Sequence, residues 1–203
     1  INQYNEGAQT RVETTLGEPP ALAAPDEPSG LIPADTWREW LLDAPHLLIS
    51  GPTGAGKTTL ATALLAEADS PGAELLVLDP HDAAGKWPVR AIGGGRDYDG
   101  IYRGIDSLMA EMNARFRRLQ EGEQQFTRLV VLLDEAPAVA LHDLKRWQGL
   151  VSRLTSEARK VEMRFWLLGQ SHLVRDLGLS SLVRRNLGLV ALGPQAIDLV
   201  KTE

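Results

Sequence analysis

Eight consecutive residues, Gly51-Pro52-Thr53-Gly54-Ala55-Gly56-Lys57-Thr58, carry the first chemistry in this chain. Glycines at these places let a backbone curl until its N–H groups point inward, and inward-pointing N–H groups bind phosphate oxygens. A helix opening at Lys57 adds the positive end of its dipole. The Lys57 ammonium can reach β- and γ-phosphates, and the Thr58 hydroxyl can ligate a divalent cation. The pattern G-x-x-x-x-G-K-[ST] is specific when a strand runs into it and a helix follows. Apolar His46–Ser50 and the good helix formers of Lys57–Ala68 meet both conditions. The loop, extended through Thr59, is therefore expected to hold a nucleoside triphosphate.

A second element supplies acid. Leu129-Val130-Val131-Leu132-Leu133 is an all-apolar run that ends in Asp134-Glu135. Ligands of parallel sheets bind where strands emerge at their carboxyl ends. Asp134 at such an end would position Mg²⁺ together with Thr58, and Glu135 would polarise an attacking water as general base. Adjacent acids imply hydrolysis of ATP rather than transfer to a small acceptor. A nucleotide or small-molecule kinase would also need a cluster of lid arginines, which the sequence lacks. A third element, Phe165-Trp166-Leu167-Leu168-Gly169-Gln170-Ser171, ends an apolar run in a polar residue. Gln170 is a candidate sensor of the γ-phosphate, although a strand-end Gln taken alone is an ordinary residue.

These residues need a scaffold, and the pattern around them alternates. Strands are expected at His46–Ser50, Glu74–Leu78, Leu129–Leu133, Phe165–Leu168 and Leu187–Leu192. Helices are expected at residues 34–43, at Lys57–Ala68, from Tyr98 to Glu121, at Leu144–Lys160 and at Val174–Arg185. Buried strands alternating with helices give an α/β fold: a mostly parallel central sheet with helices on both faces, of the RecA-like P-loop NTPase kind. If the acid strand follows that plan, the strand ending at Gln170 lies between it and the loop strand. In residues 34–43, Trp37, Trp40 and Leu41 share one helical face and are expected to pack on the core.

Residues 1–30 differ from the rest. They are polar and rich in Pro, Gly and Glu, as in Gly17-Glu18-Pro19-Pro20, and cannot bury enough apolar surface to offset their ordering entropy. They read as a flexible acidic arm or linker ahead of a motor domain at 31–203. The chain carries a net charge of −6, and residues 1–45, with eight acids and two bases, account for all of it. The remainder holds 19 acids and 19 bases, so contact with DNA would be local rather than the work of a global field. There is no cysteine, which excludes disulfides and thiolate metal sites and fits a reducing, cytoplasmic compartment. No apolar run approaches the ~18 residues of a membrane span, and the polar start lacks a signal-peptide pattern. The first residue is Ile1 rather than Met, which leaves open an upstream region or partner, membrane-anchored or otherwise.

In order along the chain, three further segments resemble the FtsK–HerA superfamily of DNA-pumping ATPases. Ser107-Leu108-Met109-Ala110-Glu111-Met112-Asn113-Ala114-Arg115-Phe116 looks like a helix of FtsK-type motors that reads Glu-Met and then an Arg-Tyr pair. Ala158-Arg159-Lys160-Val161-Glu162-Met163-Arg164 is similar to their Arg-rich turn before a strand ending in Thr-Gln. Asp79-Pro80-His81 is similar to the HerA and type IV secretion branches. The resemblance covers roughly residues 46–192. Ser171-His172 stands where FtsK-type motors carry Arg-Pro, which is nearer the conjugation-coupling and HerA style. Too few residues follow Leu192 for a winged DNA-orienting domain, so the resemblance is to a bare motor domain.

The resemblance implies a homo-hexameric ring with ATP sites at subunit junctions and duplex DNA, held without sequence preference, through the pore. A neighbouring subunit would supply an arginine finger. Arg159, Arg184 and Arg185 are the candidates, with Arg153 and Arg164 behind them. Pore contacts would come from Lys86, Arg90 and Arg96 around Gly93-Gly94-Gly95. The competing expectation is an ATP-dependent ATPase that moves or assembles protein, of the secretion or AAA+ kind.

Overall fold

The computed structural model describes residues 36–69, 72–173 and 175–197. The acidic arm, residues 1–30, lies outside the described residues. Strands β1 (His46–Ser50), β2 (Glu74–Leu78), β3 (Ala91–Ile92), β4 (Leu129–Leu133), β5 (Met163–Gly169) and β6 (Gly188–Ala191) form one sheet in the order β3-β2-β4-β5-β1-β6. Every pairing is parallel. Strand β5 lies between the acid strand β4 and the loop strand β1, as expected.

Both faces of the sheet are covered, which is why its strands read as unbroken apolar runs rather than alternating ones. Leu48, Leu78, Val131, Leu133, Phe165 and Leu167 face one core. Over them pack α3 (Tyr98–Gln120), α4 (Ala136–His142) and α5 (Leu144–Glu157). Leu47, Ile49, Val77, Val130, Leu132, Trp166 and Leu168 face the other core, beneath α1 (Trp37–Asp43) and α2 (Lys57–Ala68). The split follows the two-residue period of a strand. In α2, Ala61, Leu64, Leu65 and Ala68 fall on one face at helical spacing and are buried. In α1, Leu41 is buried and Trp37 packs partly buried on the second core. Trp40 remains 37% exposed and closes over Gly188, where a Cβ would meet its ring at 2.8 Å.

The Glu111–Phe116 stretch of α3 has a structural use. Arg115 is 3% exposed. It donates to Glu111 Oε1 at 2.7 Å, to the Thr127 carbonyl at 2.6 Å and to the Val161 carbonyl at 3.0 Å. One buried guanidinium thus ties the end of α3 to the segments entering β4 and β5.

Several elements depart from expectation, among them the strand β3. Helix α5 ends at Glu157 and a 3₁₀ turn, Ala158–Val161, follows; Glu162 then adopts a left-handed conformation at φ 56°. The helix expected at Val174–Arg185 shrinks to α6 (Ser181–Arg184), and Val174 itself lies outside the described residues. Gly178 sits at φ 62° and breaks the run, and Ser180 starts a new helix by accepting from the Val183 N–H at 3.3 Å. Helix α4 has no counterpart among the expected elements; Pro137 falls in its first turn, where a missing N–H is no loss.

Candidate nucleotide site

The parallel register brings the predicted chemistry to one edge, the carboxyl ends of β1, β2, β4 and β5. The loop leaving β1 turns at Gly54 (φ 81°) and Gly56 (φ 90°), and Gly56 caps α2. A side chain at either position would be strained by backbone conformation alone. Gly51 is required for another reason: a Cβ there would lie 3.0 Å from the Leu192 carbonyl oxygen and 3.1 Å from the Ala55 Cβ. The loop is anchored to the sheet by the Gly51 N–H, which donates to the Gly169 carbonyl at 3.2 Å. Pro52, Thr53, Gly54 and Thr59 are exposed, and Ala55, Gly56, Lys57 and Thr58 are half-buried. Lys57 folds back over the loop, donating to the Gly51 carbonyl at 2.8 Å and the Pro52 carbonyl at 3.1 Å.

Asp134 follows β4 and is 4% exposed. Its Oδ1 accepts from the Glu135 N–H at 2.9 Å, and its own N–H donates to the Leu78 carbonyl at 2.9 Å. Glu135 adopts φ 51°, a conformation rare for a residue with a side chain, and stands at the head of α4. Such strain persists where surrounding structure enforces it, commonly at sites of chemistry. Here Pro137, two residues on, packs its ring 3.1 Å from where a Gly169 Cβ would be, locking the turn against β5. Gln170 leaves β5 between Asp134 and the loop with its side chain exposed, and its carbonyl accepts from Gln195 Nε2 at 2.5 Å.

Sequence reasoning gave a third acid, noted only within Asp79-Pro80-His81, no role in the site, and did not pair it with Lys86. Asp79, at the end of β2 beside Asp134, has no exposed surface. Its Oδ1 accepts from the His81 N–H at 2.7 Å. Its Oδ2 accepts from Lys86 Nζ at 2.6 Å and from Trp87 Nε1 at 2.8 Å. Lys86 Nζ also donates to Asp134 Oδ2 at 2.9 Å. Burial works against the Lys86 charge, but its hydrogen bonds to the Asp79 and Asp134 carboxylates outweigh this and hold its pKa above the ordinary lysine value. Lys86 was expected as a pore contact. The structure corrects this, because its ammonium is drawn inward by two buried carboxylates. A clue lay in the sequence: Asp79 ends a strand just as Asp134 does.

Arg90, just before β3, and Arg96, between β3 and α3, are exposed, and Arg96 sits at φ 65°. The arginine-finger candidates gather elsewhere. Arg159 lies in the turn before β5, and Arg184 and Arg185 lie just before β6, so all three stand at the amino edge, across the sheet from their own loop. Arg184 is half-buried and donates to the Leu187 carbonyl at 2.9 Å, and burial lowers its pKa. Arg164 is likewise engaged, donating to the Leu42 carbonyl. Arg153 forms an i,i+4 pair with Glu157 at 3.9 Å. Arg159 and Arg185 are exposed.

A family model described as "Helicase HerA, central domain" matches residues 42–85. That stretch holds β1, the loop, α2, β2 and Asp79. The chain resembles the FtsK–HerA superfamily. No curated protein matches it by sequence. Among solved structures, it is similar to the pCW3 conjugation coupling protein TcpA in its monomer form with ATPγS. The TM-score is 0.61 at 19% identity, over 74% of this chain and 49% of that one. It is also similar to the cytoplasmic domain of the Thermomonospora curvata type VII secretion ATPase EccC. There the TM-score is 0.56 at 16% identity, over 73% of this chain and 20% of that one. The cytoplasmic domain of EssC gives a TM-score of 0.57 at 18% identity, over 78% of this chain and 35% of that one. The chain therefore spans at most about half the length of these structures. At such identities the likeness is one of fold, and the fold is that of RecA-like P-loop ATPases.

Proposed function

We propose that this chain is an ATP-hydrolysing motor domain that moves duplex DNA through an oligomeric, hexameric ring. The observation that carries the reading is one constellation. A phosphate loop, a buried Asp134 and a strained Glu135 meet at one sheet edge, with the strand of Gln170 between them.

The residues fit Mg²⁺ and ATP. Positive-φ glycines at 54 and 56 and the start of α2 suit a polyphosphate, and Thr58 with Asp134 is an all-oxygen donor pair of the kind hard cations take. When bound, Mg²⁺ would neutralise developing charge on the phosphates. The chain's own residues do the rest. Lys57 exchanges the loop carbonyls for β- and γ-phosphate oxygens. Asp134, whose burial leaves it few other uses, orients the metal's ligand shell. Glu135 accepts a proton from the attacking water, and its turn, locked by Pro137, fixes where the carboxylate can reach. Gln170 contacts the γ-phosphate side. Arg159 or Arg185, remote from the loop of its own subunit, would act on a neighbour's nucleotide.

DNA as cargo is supported by the resemblance to the HerA central domain and to a conjugation coupling protein. A protein cargo is supported by the likeness to EccC and EssC, since one related EccC structure holds a signal sequence peptide. The test is ATPase rate with and without duplex DNA, on a sample whose particles are imaged with ATP. Rings whose hydrolysis rises with DNA are expected. Rings indifferent to DNA at low salt would transfer the reading to protein transport.

A further inference from the structure

Lys86 bridges two buried carboxylates at the carboxyl edge, and the hydrolytic reading gives it nothing to do. Its side chain is 23% exposed, against none for Asp79 and 6% for Asp134. The two carboxylates end neighbouring strands, β2 and β4, which are in register through Leu78 and Leu133. Without a cation between them, two buried like charges would face each other. Lys86 is that cation.

Asp134 is also the acid that must serve Mg²⁺. Its Oδ1 is taken by the Glu135 N–H and its Oδ2 by Lys86. The oxygens have lone pairs to spare. What Asp134 cannot share at low cost is its charge, because an ammonium and a divalent cation on one buried carboxylate repel. Asp79 offers Lys86 a refuge. That contact is the shorter, 2.6 Å against 2.9 Å, and Asp79, fully buried, needs its partner more. The neighbouring Trp87 donates to the same oxygen at 2.8 Å, and Lys86 Nζ stands 5.2 Å from the Trp87 ring centroid.

We propose that Lys86 is a tethered counter-ion for Asp134. Binding of Mg²⁺–nucleotide displaces it onto Asp79 alone, and the displacement carries nucleotide state into the connection between β2 and β3. The inference rests on the nucleotide-site reading above. The connection can transmit such a shift because it is stitched at its base. The Asp79 N–H donates to the Ile92 carbonyl at 2.8 Å and the Arg96 N–H to the Pro80 carbonyl at 2.9 Å. Lys86, Trp87 and Arg90 ride the turn between those stitches, so movement at Lys86 falls on them rather than on the strands. The exposed guanidinium of Arg90 is then placed by what occupies Asp134.

Trp87 is a built-in reporter. With 5-fluorotryptophan in all five tryptophan positions, Trp87→Phe identifies its ¹⁹F signal. The wild-type chain is titrated with ATPγS, once with Mg²⁺ and once in EDTA, and binding is followed in parallel by calorimetry. The Trp87 signal is expected to shift with Mg²⁺–ATPγS and to stay in place with ATPγS in EDTA. Lys86→Met, which removes the competitor, is expected to bind Mg²⁺–ATPγS about tenfold more tightly, with affinity in EDTA unchanged. Calorimetric binding of Mg²⁺–ATPγS without movement of the Trp87 signal overturns the proposal. So does a folded Lys86→Met whose Mg²⁺-dependent affinity equals that of the wild type. If Lys86→Met fails to fold by circular dichroism, the wild-type fluorine measurement decides alone. No heat of binding in the wild type with or without Mg²⁺ overturns the nucleotide-site reading itself, and the proposal with it.

Discussion

The two edges of the sheet are built from the same strands and do opposite things with charge. At the carboxyl edge, the lysines are held internally: Lys86 by the carboxylates of Asp79 and Asp134, and Lys57 by carbonyls of its own loop. At the amino edge, arginines gather: Arg128 and Arg153 pair with Glu162 and Glu157, whereas Arg159 and Arg185 are exposed. Burial first, and then Arg128, lowers the Arg164 pKa, and Arg159 adds to the effect, against opposing pulls from Glu162 and Asp43. His46, at the start of β1, is pushed down to about 4 by burial and then by Arg159 and Arg164. An edge that holds its charges in internal pairs is set to receive a ligand. An edge with exposed arginines such as Arg159 and Arg185 is set to meet negative charge on another molecule. In a ring, that other molecule can be the next subunit's nucleotide.

The contrast between the edges breaks most visibly at Arg159 and Arg185. Both are exposed at the amino edge, and among the described residues neither side chain has a hydrogen bond or ion pair. If one of them completes a neighbour's site, its alanine variant should lose ~10³-fold or more in turnover. Mixing Arg159→Ala or Arg185→Ala subunits with wild type should then depress activity more than in proportion to the variant fraction. A strictly proportional decline for both would confine catalysis to one edge of one subunit. The carboxyl edge is sharpened next. Glu135→Gln should keep nucleotide affinity and slow turnover by about 10²- to 10⁴-fold. Lys57→Ala should weaken nucleotide binding by about 100-fold, the worth of a strong charge-assisted contact. Equal turnover in Glu135→Gln and wild type would remove Glu135 as the base.

How much of this was legible depended on the edge. The loop, Asp134 and Glu135 announce themselves because their types are fixed by chemistry and their spacing by a strand and a turn. The strand cores were legible for the related reason that burial on both faces makes them uniformly apolar. Lys86 was not, since nothing local distinguishes it from a solvent-facing lysine; it is a site residue only because β2 and β4 are neighbours. Asp79 could have been found as a second acid ending a buried strand. The shortened helix before β6 was missed because the left-handed turn at Gly178 outweighs the helical pattern around it. Strand β3 has two residues, too few for any period to show.

A smaller effect separates the edges by pH. His46 Nδ1 accepts from the Phe165 N–H at 3.1 Å, so the ring must be neutral in the folded chain. The folded pKa of about 4 lies below the ordinary 6.5. Protonation therefore favours the unfolded chain. The His46 contribution is complete above pH 6.5 and declines as pH falls towards 4, by at most about 3 kcal/mol. Urea unfolding at pH 7.5, 5.5 and 4 measures this. His46→Asn, whose Oδ1 can replace Nδ1 as acceptor, should flatten the slope. An unchanged slope would mean that other groups set the acid sensitivity.

The smallest expected effect concerns DNA, and the inward-facing Lys86 narrows it to Arg90 and Arg96. Both are exposed and flank β3, Arg90 at the end of the β2–β3 connection and Arg96 between β3 and α3, and Arg96 sits at φ 65° with its N–H donating to the Pro80 carbonyl. A backbone fixed in so uncommon a conformation sets the direction in which a guanidinium leaves the surface. Two such cations per subunit cannot read bases, but repeated around a ring they can neutralise phosphates. Each phosphate neutralised releases counterions and adds about 0.9 to the slope of log affinity against log salt. The double variant Arg90→Ala/Arg96→Ala should therefore bind duplex DNA with a shallower slope, by about 0.9 for each phosphate no longer neutralised, and show weaker DNA stimulation of hydrolysis. Lys86→Met, by contrast, should leave the slope as it is, because its ammonium already belongs to Asp79 and Asp134. A slope flattened by Lys86→Met and indifferent to the double variant would reverse the assignment. Lys86 would then have to leave its carboxylates to meet DNA.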